Sequence, residues 1–118
     1  MSSTTSFKSL LEDFDGDREE VGALLDLAIE TVSEAFEGIS RSLMTRERLV
    51  TQARAHSIKG CAGNIGAMEL SRIAAEIEEN SRNDHLAVVD VLLPRLKVAI
   101  AAFVDDVAAF KKETATQS

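Results

Sequence analysis

The sequence predicts an all-α fold: an up-down-up-down antiparallel four-helix bundle with a short additional N-terminal helix. Three observations carry that prediction. Apolar residues recur at alternating intervals of three and four over long stretches, the period of a helix face. The 118 residues hold one proline and few turn formers, too little punctuation for a sheet of short strands. The apolar set is mainly alanine, leucine, isoleucine and valine, without tryptophan or tyrosine.

The first helix is expected over Phe7 to Phe14, where Phe7, Leu10, Leu11 and Phe14 share a helical spacing. Asp15-Gly16-Asp17 stops it and caps the next. The second runs from about Arg18 to Leu43, with Val21, Leu25, Ala28, Val32, Ala35, Ile39 and Leu43 forming the seam. Glu19 and Glu20 sit in its first turn, where the helix dipole favours negative charge. The third starts near Thr45 and ends at about Ile65, with Gly66 as a left-handed terminator. The fourth, about Ala67 to Arg82, turns Leu70, Ile73, Ala74 and Ile77 inward before Asn83 and Asp84 break it. The last carries Val89, Leu93, Leu96, Ile100, Phe103, Val107 and Phe110. Pro94 lies inside this pattern and predicts a kink, with Leu86 to Leu93 bent against the rest. Short connections between such helices make neighbours antiparallel.

One core is what a chain of this length can bury. The domain is expected over 7–112, between a flexible N-terminus, residues 1–6, and a flexible C-terminal tail, residues 113–118. A formal net charge of −7 repels nucleic-acid phosphates and anionic lipid, so neither is an expected partner. The single cysteine, Cys61, has no intrachain partner and fits a reducing compartment. No apolar run reaches the roughly 18–20 residues of a membrane span. Met1 to Thr5 lacks a basic region leading into an apolar stretch. A cytoplasmic monomer is expected.

The third helix carries the chemistry. At about 100° per residue, Ala55, Ile58, Cys61, Ala62 and Ile65 form its core stripe. His56 falls opposite, beside Lys59, Gly60 and Gly63, and therefore points to solvent. Each glycine costs about 1 kcal/mol relative to alanine in a helix interior, more than packing alone calls for. Their missing side chains open a flat approach to the imidazole. Lys59, three residues on, shares the face of His56. Leu49 and Ala53 add apolar surface there, which suits docking better than solvation. Each feature has an ordinary explanation by itself: a surface histidine, glycines for close helix packing, a solvated lysine. Their combination does not.

The segment AHSIKGCAGNIGAMEL resembles the signature of the histidine phosphotransfer (HPt) domain family of multistep phosphorelays. The length of the second helix, its offset to His56 and the Leu/Ile pattern of the fourth helix fit as well. The resemblance implies that His56 is the phosphoacceptor, that Lys59 offsets the phosphoryl charge, and that Gly60 gives access. It also implies a glutamine or glutamate on the next helix bonding the other ring nitrogen, a place matched by Glu78. A solvated charge in the acidic run Glu76, Glu78, Glu79 is the alternative reading of that residue, and both stand at this point. Cys61 departs from the serine or alanine more often found in its slot and reads as a small core residue.

The implied function is a phosphocarrier. It would accept a phosphoryl group from the aspartyl phosphate of a receiver domain and pass it to the aspartate of another response regulator. A hybrid histidine kinase is the expected donor. No GxxxxGK[ST] loop marks an ATP site, and His56 and His85 build no metal motif, so neither enzyme activity nor a resident cofactor or metal is expected. His85 reads as a surface or capping residue. Mg²⁺ would come with the receiver. Partner choice would rest on Leu49, Gln52, Ala53, Lys59 and Gly63. A non-catalytic helical adaptor is one rival. A second is the dimerisation and phosphoacceptor domain of a sensor kinase, disfavoured by Ser57-Ile58-Lys59 and the lack of a nearby proline. A third is the phosphotransfer domain of a chemotaxis-type kinase; the polar tail favours a free-standing protein.

Overall fold

The structure, a computed structural model, describes residues 7–117. The N-terminal segment expected to be flexible, residues 1–6, lies outside the described residues, as does Ser118. Five helices follow one another: α1 (Lys8–Asp13), α2 (Arg18–Met44), α3 (Arg48–Asn64), α4 (Met68–Arg82) and α5 (Leu86–Gln117). No strand occurs among the described residues. α2 packs against α3 and α5, and α4 packs against the same two, so α3 and α5 stand at opposite corners of the bundle. The long axis of 49 Å is the length of α5, whose 32 residues rise about 1.5 Å each.

All seven residues of the α2 seam are buried, at 5% exposure or less. On α5 the inward side falls between two registers. Val89, Leu96, Phe103, Val107 and Phe110 are buried as expected, but Leu92 and Ala99 go deeper than Leu93 and Ile100, which remain half-buried. Phe7 is buried just ahead of α1, edge-on to the rings of Phe103 and Phe110 at 6.2 and 5.8 Å, and so closes one end of the core. The guanidinium of Arg18 lies over the Phe110 ring, 4.7 Å from its centre. Such a stacked pair exploits the negative face of the ring.

The four junctions share one chemistry. Each helix is followed by a residue with positive φ: Asp15, Arg46, Gly66 and Asp84. Each junction then sends an N–H back five residues: Gly16 to Leu11 O, Glu47 to Ser42 O, Ala67 to Ala62 O, and His85 to Asn80 O. This is the bond that satisfies a helix's last carbonyls when the chain turns left-handed. Gly66 was expected in that conformation; three junctions adopt it without glycine at the first left-handed position. Arg46 is held there by a bidentate pair with Asp90 on α5, at 2.8 and 3.1 Å. Asp17 caps α2 by accepting from the Glu20 N–H.

Two expected boundaries move, and α5 is unbroken at its proline. α3 begins at Arg48 because Thr45, Arg46 and Glu47 are consumed by the left-handed turn. α5 runs as one helix through Pro94, which withholds the N–H that the Asp90 carbonyl would otherwise accept. Both residues are exposed, so that gap opens to solvent. The polar segment from 113 onward stays helical as far as Gln117, since extending an established helix adds a hydrogen bond for each residue fixed. No helix among the described residues is long and apolar enough to cross a membrane.

Candidate functional site

α3 is a half-buried helix whose inward face is Thr51, Ala55, Ile58 and Ala62, with Ile65 just beyond its end. That stripe rotates His56 outward, and the side chain is 65% exposed. Lys59 lies one turn on, at 37%. Across the groove, α4 buries Leu70, Ile73, Ala74 and Ile77, and the same face continues into Glu78 and Ser81. Glu78 is therefore an inward residue, its side chain only 8% exposed. The solvated-charge reading of Glu78 does not survive.

Its carboxylate gathers three groups from two helices. Oε2 lies 2.7 Å from Nδ1 of His56, and Oε1 lies 2.6 Å from Nζ of Lys59. Nη2 of Arg82, one turn along α4, approaches Oε2 at 3.6 Å. Burial pushes the Glu78 carboxyl up; the hydrogen bonds from Lys59 and His56, with their charges, outweigh it and hold the group below the ordinary glutamate range. Glu78 is thus ionised at neutral pH. A carboxylate only accepts, so the shared proton sits on Nδ1 of His56. In the neutral ring the lone pair is then on Nε2, the atom turned to solvent.

The surroundings of the imidazole are open. A Cβ built on Gly60 meets nothing within 4 Å, and one on Gly63 meets only Ser71 Oγ at 3.5 Å, an ordinary contact. Neither glycine is required by the packing of the chain itself. Leu49 is 67% exposed, Ala53, Gly60 and Gly63 are exposed, and Gln52 is half-buried. Cys61 is half-buried rather than part of the fully buried stripe, and burial pushes its thiol pKa up, away from reactivity. His85 is exposed at the α4–α5 junction.

Four elements of the site are not singled out by the sequence. Arg82 reaches Glu78 from the last turn of α4. Arg48 donates to the carbonyls of Ser81 and Arg82, tying the start of α3 to the end of α4. Ser71 donates to the Lys59 carbonyl at 3.0 Å. Thr51 and Ser42 form a buried hydroxyl pair at 2.6 Å between α3 and α2. The extension of the α4 stripe past Ile77 was the available sign for Glu78; the other contacts depend on how neighbouring helices are shifted along each other, which periodicity does not report.

The family described as Hpt domain matches residues 23–110, most of the chain. No curated protein matches it. Two solved structures share the fold. One is histidine-containing phosphotransfer protein B (HptB) from Pseudomonas aeruginosa PAO1, with a TM-score of 0.79, 23% identity and 96% of each chain covered. The other is the HPT domain of the Hpt sensor hybrid histidine kinase from Shewanella, with a TM-score of 0.70 and 14% identity, covering 95% of this chain and 94% of that one. With the signature on α3 and the match spanning α2 to α5, the chain belongs to the Hpt domain family.

Proposed function

We propose that His56 is the phosphoacceptor through which this histidine phosphotransfer protein relays a phosphoryl group between receiver domains. The observation that carries this reading is the bond from His56 Nδ1 to a buried, ionised Glu78 while the rest of the ring stands in solvent. Nε2 attacks the phosphorus of a receiver's aspartyl phosphate in line. The P–N bond forms as the P–O bond to the carboxylate breaks, and the aspartate leaves with the electron pair. Nδ1 keeps its proton, and the positive ring that results faces the Glu78 carboxylate. The reverse sequence delivers the group to a second receiver.

The phosphoryl group brings negative charge, and phosphoryl transfer is catalysed largely by positioning and charge neutralisation. Lys59 and Arg82 already stand at the site, and Lys59 has further N–H donors beyond the one aimed at Glu78. In this reading the Mg²⁺ that phosphoryl transfer uses comes with the receiver. The protein acts as a carrier without an ATP site of its own. A hybrid histidine kinase supplies the donor receiver, and Leu49, Gln52, Ala53, Gly60 and Gly63 form the surface on which receivers dock.

Incubation with a receiver phosphorylated with labelled phosphate tests the proposal. Label moves to the wild-type chain and not to His56→Gln. Label on His56→Gln, or none on the wild type with any receiver of the same cell, would favour the adaptor.

A further inference from the structure

α5 is apolar on the side that faces away from the bundle. Positions 87, 91, 94, 98, 101, 105 and 108 recur at alternating four and three, and all seven are exposed. They are Ala87, Val91, Pro94, Val98, Ala101, Asp105 and Ala108, so one charge interrupts the line. Val98 is 70% exposed and Val91 62%, with Val88 at 43% and Val104 at 37% along the margins. α2, the other long helix, turns Glu19, Glu20, Asp26, Glu30, Glu34 and Glu37 away from its buried seam instead. An outer helix face is ordinarily polar, and a seam with this spacing stays in line with another helix. A groove of about 480 Å³ between α4 and α5, with Ile73, Ala99 and Phe103 at its base, adjoins the seam at Pro94 and Val98.

We propose that this face pairs with itself, joining two copies of the chain through antiparallel α5 helices. The charges select the occupant and its direction. A parallel pairing would set Asp105 against its own copy in the seam. An antiparallel two-fold pairing that levels Val98 with Ala101 of the second copy places Arg95 beside Asp105 of that copy. The same register brings Asp90 to Lys111, and symmetry repeats both contacts. Asp90 and Lys111 also serve Arg46 and Asp26 in their own chain, yet remain about half exposed and open to a second ion. Since α3 occupies the corner opposite α5, both His56 rings face outward from the dimer. A monomer is the expectation from the sequence, and the pairing proposed would make it a dimer.

Sedimentation of the full chain over a concentration series up to about 1 mM tests this. Wild type should pass from monomer to dimer. Val98→Glu, at an exposed position that leaves the fold and the His56 site alone, should weaken the dimer by about tenfold or more. Arg95→Asp should weaken it too, and Arg95→Asp with Asp105→Arg should restore it. A wild-type chain that stays monomeric throughout overturns the proposal and points to a helix of another protein as the occupant. A dimer indifferent to Val98→Glu places the contact on another face, and a dimer indifferent to Arg95→Asp rejects the antiparallel register.

Discussion

Gly60→Ala should make the protein more stable. Gly60 lies in mid-helix without a positive φ, and a Cβ there meets nothing within 4 Å. Alanine is favoured over glycine at such a site by about 1 kcal/mol. For a domain of this size that amounts to about 4 °C in Tm. Gly60→Gln should keep part of the gain while placing a side chain one turn from His56, where a receiver would have to close in. Intrusion into a fitted contact costs about 1–3 kcal/mol, which slows transfer by about 5- to 150-fold. The assay has three arms: thermal unfolding, single-turnover transfer from a phosphorylated receiver, and labelling by a small donor such as phosphoramidate. Stability should rise for both variants, small-donor labelling should be unchanged, and receiver transfer should fall for Gly60→Gln. A drop in Tm for Gly60→Ala would show that the chain itself needs the glycine. Receiver transfer at wild-type speed in Gly60→Gln would refute the claim that the clearing serves docking.

Glu78→Ala, which leaves Nδ1 of His56 without its acceptor, should slow transfer by about 10–100-fold, the size of effect found when the partner that orients an imidazole is removed. Its folded pKa is depressed, so the stability its charge contributes is fully present above the unfolded glutamate value of about 4.3 and is lost as pH falls through the lower folded value. Denaturation across pH should therefore show wild type losing its advantage over Glu78→Gln only in acid. Asp84→Gly should stabilise by about 0.5–1 kcal/mol in chemical unfolding, because Asp84 holds φ +60° at the α4–α5 junction where glycine carries no Cβ penalty. Thr51→Val removes one partner of a buried hydroxyl pair, while Ser42 keeps its bond to the Ile39 carbonyl. A loss of about 1 kcal/mol is expected by the same measurement.

Helix faces were readable because burial repeats along one helix at a fixed period. The α2 seam, from Val21 to Leu43, is buried throughout for that reason. The outward turn of His56 followed from the same arithmetic, and the left-handed Gly66 from the freedom of glycine at a helix end. Glu78 stayed open because a carboxylate extending an apolar stripe is favoured inside only when cations meet it, and those come from Lys59 on another helix and from Arg82 one turn on. The turn at Arg46 is likewise tied by Asp90, distant in sequence. What escaped the sequence were contacts between segments, where the axial offset of two helices decides which side chains meet.

The connections between helices are three or four residues long, and each is closed by its own backbone bond. Among the described residues there is accordingly no flap or hinge beside His56. A phosphorylated ring would stand as accessible as an empty one, ready for whichever receiver arrives first. The direction of flow would then be settled by the relative phosphoryl affinities and abundance of the receivers, with the carrier contributing no gate of its own.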